Sequence, residues 1–243
     1  MNEQPPGEDV ERLLARRRAL EARALQTPGL PERLRVLRAW QARRLARTYE
    51  ELRRNPRYTE AVEFFLNDLY GPQDFSRRDR ELSRAIVPLR RALPAALLEV
   101  LTKAVELDVL TAELDQAMLG QLQQRPLTDA SYALAYRTLG RGAERQRQID
   151  LTASIGADLE RLVRHRWIGI ALRAAHVPAR AAGFGVLQQF LERGFAAFTH
   201  MGSARALLQA IRERETHLMQ KLLGADPAAG SLLTCERAVD ARG

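Results

Sequence analysis

Apolar side chains recur at helical spacing along almost the whole chain, and this period constrains the fold more than any other feature. Five stripes carry it: Val10, Leu13, Leu14, Leu20 and Ala24; Leu34, Leu37, Leu45 and Leu52; Val62, Phe65, Leu66 and Leu69; Ile149, Ile155, Leu159, Leu162 and Val163; Leu207, Leu208, Ile211, Leu218 and Leu222. No segment alternates convincingly as a half-buried strand does, and no internal repeat of fixed period occurs. The pattern predicts an all-α fold, with a single multi-helix domain of the bundle type.

Turn residues predict where several of these helices begin. Asn55-Pro56 has the form of a cap followed by a first-turn proline, and it opens a helix from about Arg57 to Tyr70. Thr128 or Asp129 is expected to cap the helix that holds Tyr132 and Tyr136.

Glycine and proline also set the predicted domain limits. Thr27-Pro28-Gly29 ends the first helix, so residues 1–30 are predicted to form a basic N-terminal helix or arm. Residues 31–223 are predicted to form the helical domain. Gly224 is expected to end the last helix, and residues 224–243 are predicted to be a flexible tail.

The segment 178–201 combines phenylalanines with glycines. A short helical piece around 167–175 is expected to lead to Pro178, where the glycine-rich helix starts. Glycine inside a helix costs about 1 kcal/mol relative to alanine, so another helix or a ligand should approach the backbone closely here. Close helix packing is the favoured explanation. A ligand or cofactor pocket between the helix of Phe64 and that of Phe184 is the alternative.

The charge of the chain is unevenly distributed. The formal net charge is +8, and residues 11–57 hold 14 arginines against 5 glutamates. Such an excess attracts nucleic acid or acidic lipid. The first helices nevertheless interleave few aromatic residues with the arginines, and no nucleic-acid-binding signature is present. A solvated basic face is therefore favoured, with nucleic-acid binding through the N-terminal helices as a further alternative.

The sequence predicts a cytoplasmic protein. No apolar run is long enough to span a bilayer, and the N-terminal residues do not have the pattern of a signal peptide. The single cysteine, Cys235, cannot form an intramolecular disulfide.

Motifs of common catalytic chemistries are missing from the sequence. There is no phosphate-binding loop, no dinucleotide-binding glycine motif after a strand, no nucleophile elbow and no paired Glu-x-x-His motif. Glu213 and His217 lie one turn apart, but such a pair is more often a surface pair than a metal site. We therefore expect no metal, no cofactor and no catalytic residue.

Two charged residues interrupt apolar stripes. Glu215 lies between Ile211 and Leu218 at helical spacing, and Arg145 precedes Ile149 by one turn. If both side chains point inward, they form a buried charge pair or bind something polar. In the other interpretation, the ends of their helices turn towards solvent.

The stretch 64–79 forms a corner rich in special residues. Tyr70 precedes Gly71-Pro72, and Asp74, Arg77, Arg78 and Asp79 follow. Arg77, Arg78 and free amides could receive an anion. Capping by Asp74, Ser76 and Asp79 is favoured, with an arginine bound to a neighbouring carboxylate. The candidate ligand- or partner-binding residues are Tyr70, Asp74, Arg77, Arg78, Asp79, Arg145 and Glu215.

The same corner resembles the signature of a bacterial all-helical family of unknown function. The resemblance is carried by Phe64, Phe65, Leu66, Leu69, Tyr70, Gly71, Pro72, Asp74, Phe75, Arg78 and Asp79. It continues through Tyr136-Arg137, Arg145, Gln148-Ile149, Pro178-Ala179, Phe190-Leu191 and Arg214-Glu215. The resemblance covers most of residues 31–223 and implies a helical domain without implying an activity.

These observations favour a non-catalytic, cytoplasmic helical binding or regulatory protein. Its partner would be another protein or an acidic ligand, and nucleic acid is the less favoured partner. The sequence makes no prediction of the oligomeric state.

Overall fold

Helices form all the regular structure in the part of the chain that the computed structural model describes, residues 6–69, 76–89 and 94–224. The eleven α-helices of these residues are α1 Pro6–Gln26, α2 Leu30–Thr48, α3 Glu50–Arg54, α4 Thr59–Phe64, α5 Ser76–Leu89, α6 Ala95–Leu122, α7 Asp129–Leu139, α8 Gly142–Leu162, α9 Arg166–Ala181, α10 Gly185–Met201 and α11 Arg205–Leu223. A π-helical turn, Phe65–Leu69, extends α4. The all-α prediction is confirmed.

Helix α6 is the centre of the domain. It is 28 residues long and packs against α1, α2, α7 and α8. Leu114 and Met118 are completely buried, because apolar residues lie on several sides of this helix and its neighbours cover each side. Helix α1 packs along α6 through Val10 and Leu14. The domain limits at residues 30 and 224 stay predictions.

Three apolar clusters form the core of the described residues, and two of them include side chains of α6. The first joins α2, α6, α7 and α11 around Leu37, Trp40, Met118, Tyr132 and Leu222. The second joins α4, α10 and α11 around Val62, Phe198, Leu207 and Ile211. The third joins α1, α5 and α6 around Val10, Leu14, Ile86 and Val109. Side chains of the first two clusters meet at the cavity described below.

Arginines on the first two helices bind acidic residues and carbonyl groups of α6. Arg16 pairs with Glu113 at 2.6 Å, and Arg17 pairs with Asp108 at 2.7 Å. Arg33 donates to the Leu119 carbonyl at the end of α6. The basic face expected for this region is therefore only partly free for solvent, because several of its arginines bind α6 and hold α1 and α2 against it.

Helix boundaries follow the turn residues in most places. Thr128 caps α7 by accepting from the Ser131 amide, as predicted. Gly29, with φ of 73°, ends the turn before α2. Asn55 accepts from the Arg57 amide, but α4 begins only at Thr59.

Pro178 does not start a helix, and the prediction that it does was wrong. Helix α9 continues through Pro178 to Ala181, although a proline inside a helix removes a backbone donor and crowds the preceding turn, because the packing of α10 along α9 helps to stabilise the longer helix. The chain reverses at Gly183, whose φ of 79° is a conformation that glycine adopts without strain. The Gly183 carbonyl accepts from the Arg84 guanidinium at 2.9 Å.

The second helix also ends earlier than the leucine stripe predicted. Helix α2 stops at Thr48, and Tyr49 separates it from α3. The Arg214 guanidinium binds the Thr48 carbonyl at 2.7 Å, and Tyr49 is buried beside it. The break thus brings a tyrosine side chain into the core.

Close packing at Gly194 gives a test of the α4–α10 interface. A Cβ at this position would lie 2.9 Å from Phe64 Cζ, and the Phe64 ring also packs on Phe190 with centroids 5.2 Å apart. We expect Gly194→Ala to lower the free energy of unfolding by about 1–3 kcal/mol in urea titrations, because the ring must move within a filled core.

The matched control is Gly120→Ala on α6, where nothing lies within 4 Å of the added methyl group. Alanine is the better helix former, so this variant should gain up to about 1 kcal/mol. Equal stability changes in the two variants would contradict the close approach at Gly194.

Candidate functional site

A cavity of about 120 Å³ lies where the first two apolar clusters meet. Helices α2, α4, α6, α7, α8 and α11 all contribute side chains to its wall. The polar ones are Gln41, Arg44, Tyr49, Thr111, Asp115, Tyr132, Tyr136, Arg145, Gln148, Thr152 and Glu215. The apolar ones include Val62, Phe65, Leu66, Ile149, Leu207, Ile211 and Leu218. A wall with so many charged groups inside a helical core needs a chemical explanation.

Glu215 of α11 is held by two groups from the region of α2. Arg44 Nη1 donates to Glu215 Oε1 at 2.6 Å, and the Tyr49 hydroxyl donates to the same oxygen at 2.9 Å. The Arg44 and Glu215 side chains are only 13% and 17% exposed. A buried carboxylate needs such partners, since losing water is costly for an unpaired charge.

The pKa shifts at this pair follow from burial and charge. Loss of water lowers the pKa of Arg44, but the charge of Glu215 and its hydrogen bond outweigh this and raise the pKa above its ordinary value. Burial, helped by the negative charge of Glu215, raises the pKa of Tyr49. Burial also raises the pKa of Tyr136, against an opposing effect of Arg145. The tyrosines therefore stay neutral and the guanidinium stays charged.

Asp115 of α6 is the second carboxylate in the wall. Arg38 Nε and Gln41 Nε2 each donate to it at 3.1 Å, one to each oxygen. Arg38, Gln41 and Arg44 follow one another at three-residue intervals along α2. Their side chains are thus close enough along the helix to serve both Asp115 and Glu215.

Arg145 of α8 has a different environment. Its side chain lies over the Tyr136 ring, with Cζ 4.8 Å from the centroid, and Nη1 donates to Gln148 Oε1 at 3.3 Å. Gln148 in turn donates to Thr111 at 2.8 Å. Arg145 is 8% exposed, and no group of the described residues accepts a hydrogen bond from its Nη2.

The two inward charges predicted from the sequence thus line the same cavity but do not pair with each other. Glu215 forms its ion pair with Arg44 of α2, a helix that the prediction did not consider. Arg145 instead donates a hydrogen bond to Gln148, about one turn further along the same helix. The interpretation in which these residues turn towards solvent does not describe either of them.

The corner residues lie in a separate region. Arg77 binds Glu81 at 3.3 Å, and Glu81 accepts from the Leu187 amide at the start of α10. Arg78 donates to the Asp68 carbonyl at 2.8 Å and lies over the Phe190 ring. These contacts connect α5 with the π-helical turn after α4 and with α10. The capping interpretation had predicted that one of the two arginines binds a neighbouring carboxylate, and Arg77 does so with Glu81.

Three corner candidates are not part of this description. Tyr70 and Asp74 lie outside the described residues, as does residue 75. Asp79 belongs to α5, but its side chain is also outside the described part. An anion site at the corner stays a prediction.

The helices of Phe64 and Phe184 pack directly against each other. The Phe64 ring fills the space beside Gly194 and Phe190, and the Phe184 ring lies under the Arg84 guanidinium at 5.1 Å. The cavity lies elsewhere, since Val62, Phe65 and Leu66 line it while no residue of α10 does. The cavity is therefore not the pocket predicted between these two helices.

Among the polar wall residues that sequence reasoning did not select, four belong to the hydrogen-bond networks of Asp115 and Glu215. Asp115 and Gln41 both lie within apolar stripes, the same signal that identified Glu215, so this signal could have found them. Arg44 and Tyr49 carried no such signal, because one is among many arginines and the other follows a helix end.

Two kinds of feature are absent from residues 6–69, 76–89 and 94–224. No three His, Cys, Asp or Glu side chains lie close enough together there to hold a metal ion. No helix there has the length and apolar character to cross a membrane.

Comparison with known proteins identifies one family. A family model described as a domain of unknown function (DUF8198) matches residues 20–229 of the chain. No curated protein and no solved structure matches it.

Truncation of Glu215 tests the buried pair. We expect Glu215→Ala to lower the free energy of unfolding by about 3–5 kcal/mol, because Arg44 is left charged and unpaired in the core. Glu213→Ala, at an exposed position two residues away on the same helix, should change stability by less than about 0.5 kcal/mol. The double variant Arg44→Met/Glu215→Leu should recover much of the loss. An unchanged melting temperature for Glu215→Ala would show that the pair is not structural.

The buried tyrosines predict alkaline destabilisation. The pKa values of Tyr49 and Tyr136 are raised in the folded protein, whereas a tyrosine in the unfolded chain has a pKa of about 10. The stability that these neutral tyrosines contribute is therefore complete below about pH 10 and declines as the pH rises above it. Each such tyrosine should lower the free energy of unfolding by about 1.4 kcal/mol per pH unit once its unfolded form ionises. In urea titrations from pH 10 to 11.5, Tyr49→Phe should show a shallower decline than the unmodified protein. Parallel curves would contradict the burial of a neutral Tyr49.

Proposed function

The chain belongs to the DUF8198 family, whose function is unknown, and we propose that it binds a small organic anion in its central cavity without catalysing a reaction. The single observation that carries this proposal is the Arg145 side chain. It is charged and buried in the cavity wall, and its Nη2 has no acceptor among the described residues.

An unused donor on a buried guanidinium is unfavourable. Leaving a buried polar group without a partner costs about 1–3 kcal/mol, and more for a charged one, so folded proteins keep few of them. The contact with the Tyr136 ring compensates in part, since cation–π contacts contribute about 0.5–2 kcal/mol. A bound carboxylate would supply the remaining acceptor.

The charge balance of the wall supports the same ligand class. Arg44 is neutralised by Glu215, and Arg38 is neutralised by Asp115. Arg145 has no carboxylate within 4.0 Å among the described residues, so its positive charge is the one in the wall that has no ion-pair partner among them. A ligand with a single negative charge would neutralise it.

The size and lining of the cavity narrow the ligand further. A cavity of about 150 Å³ is known to hold benzene, so 120 Å³ suits a molecule of about six non-hydrogen atoms. Val62, Leu66, Ile149 and Ile211 present apolar surface opposite the polar groups. A short-chain carboxylic acid matches both the charge and the apolar surface.

Several residues that carry the family resemblance converge on this cavity. They come from three segments that are far apart in the sequence, and they are Phe65, Leu66, Tyr136, Arg145, Gln148, Ile149 and Glu215. Their common location supports a role for the cavity beyond the packing of one helix pair.

The absence of catalysis is also part of the proposal. Both carboxylates in the wall already accept from guanidinium groups, and neither histidine nor cysteine is among its described lining residues. A wall of this kind can hold an anion but has no free general base next to a nucleophile. We place this binding protein in the cytoplasm, following the cysteine content of the chain.

The ion pairs of α1 and α2 weigh against the nucleic-acid alternative. Arg16, Arg17, Arg38 and Arg44 all have carboxylate partners within the domain. Phosphate groups would have to compete with those partners for the guanidinium groups.

Replacement of Arg145 tests the anion site. We expect the purified protein to bind butanoate in calorimetric titrations and Arg145→Met to bind at least about tenfold more weakly, because a charge-assisted hydrogen bond is lost. Arg145→Met should keep or raise the melting temperature without ligand, since an incompletely bonded charge is replaced by an apolar group of similar length.

The matched control is Arg147→Met on the same helix, where Arg147 pairs with Glu106 outside the cavity. It should bind butanoate as the unmodified protein does. Equal binding by both variants, or a large loss of stability in Arg145→Met, would make Arg145 a structural residue and overturn the proposal. Turnover of a substrate by the pure protein would overturn its non-catalytic part.

A further inference from the structure

Helix α9 presents an apolar row to solvent. It packs mainly against α10, with Ile168 and Gly169 buried on that side. On the opposite side, Trp167, Ile170 and Val177 are 51%, 59% and 73% exposed. Single exposed apolar residues are ordinary, but three large ones on one side of one helix are unusual.

The spacing of this row is the spacing by which two helices pack together. The exposed residues follow one another at alternating intervals of three and four, in the order Trp167, Ile170, Ala174, Val177 and Ala181. Alternating intervals of this kind place all five side chains in one seam, as in the a and d positions of a coiled coil. We call these five residues the α9 seam.

A row of arginines borders the α9 seam. Arg166, Arg173 and Arg180 recur every seven residues, and each lies immediately before a seam residue. All three are exposed, and none has a carboxylate of the described residues within 4.0 Å, although Arg180 interacts electrostatically with Glu192 of α10. Arg161 and Arg164, just before the helix, are instead paired with Asp158 and Glu160.

Acidic residues are missing from the segment of sequence that holds the seam. Residues 161–191 contain five arginines and neither aspartate nor glutamate. The three arginines therefore form a positive edge beside an apolar row. Of the three, Arg180 interacts with a carboxylate of the chain, Glu192 of α10, which also binds His176 at 2.8 Å. When two helices pack in this way, the charges of the residues along the edge determine which partner helix binds.

We propose that the α9 seam is a docking surface for an amphipathic helix of another protein, one that carries acidic residues along the edge of its own apolar seam. Three carboxylates at seven-residue intervals would face Arg166, Arg173 and Arg180, while aliphatic side chains would cover Trp167, Ile170 and Val177. This proposal is independent of the anion site, because no residue of α9 lines the cavity.

Two other occupants match the seam less well. A helix that lies on a lipid surface needs an apolar face bordered by basic residues, but it needs no seven-residue register. The edge of the seam opposite the arginines carries Ala171 and Pro178, which are uncharged and cannot bind acidic lipid head groups. A second copy of the chain would bring two rows of arginines together without a carboxylate between them.

The test uses the full chain and an acidic helical peptide of about 21 residues, three heptads long, with leucine and isoleucine in its seam and glutamate along its edge. Binding is followed by anisotropy of the labelled peptide and by the emission of Trp167. We expect saturable binding, a blue shift of the exposed Trp167, and at least about tenfold weaker binding of a scrambled peptide of the same composition.

Charge-reversed variants separate the edge from general electrostatics. Arg166→Glu/Arg173→Glu/Arg180→Glu should weaken binding at least about tenfold. Arg43→Glu/Arg125→Glu/Arg205→Glu makes the same change in net charge at exposed arginines outside α9 and should weaken it less than about threefold. Ile170→Glu/Val177→Glu should abolish binding, and circular dichroism would confirm that these variants are folded.

Four outcomes would overturn the proposal. Scrambled and seamed peptides could bind equally, or the two arginine variants could lose the same affinity. Vesicles of phosphatidylglycerol could bury Trp167 when the peptide does not, which would make lipid the occupant. A dimer in solution that Ile170→Glu dissociates would make a second copy the occupant.

Discussion

Two carboxylates buried in the core, Asp115 on α6 and Glu215 on α11, determine where the neighbouring helices can lie. Each has left water, and a buried carboxylate is tolerated only with a close and well-bonded partner. Helix α2 supplies both partners through Arg38 and Arg44, with Gln41 between them. The position of α2 is therefore set by charge as much as by its leucines, and the break at Tyr49 adds a further hydrogen bond to Glu215.

The same pairing accounts for the properties of the cavity. Because α2 satisfies both carboxylates, the guanidinium of Arg145 on α8 is left facing a wall whose negative charges are already bonded. Its contacts with Tyr136 and Gln148 hold it in place without using Nη2. A hydrophobic side chain of the same length would fill this position at lower cost to folding. The anion that we propose would give this charge its missing hydrogen-bond acceptor.

Helical periodicity predicted which residues point inward but could not predict what they meet. Glu215 and Arg145 were both identified from their places in apolar stripes, and Asp115 could have been identified in the same way. The partner of Glu215 could not, since fourteen arginines between residues 11 and 57 offer no basis for choosing Arg44. The prediction that a helix starts at Pro178 was wrong for a related reason. Local propensity disfavours a proline inside a helix, but α10 packs along α9 and helps to stabilise the longer helix.

The distribution of charge shows the limit of reading segments one at a time. Residues 11–57 hold the largest excess of arginine, but ion pairs such as Arg17–Asp108 and Arg44–Glu215 neutralise part of it across about 90 to 170 positions of sequence. Residues 161–191 hold fewer arginines, but Arg166, Arg173 and Arg180 form no ion pair with a carboxylate of the described residues, and Arg180 alone of the three interacts with Glu192. The unpaired positive charge of the folded domain therefore includes α9, beside exposed tryptophan and isoleucine. Charge and apolar surface occur together there, and an acidic helix can satisfy both at once.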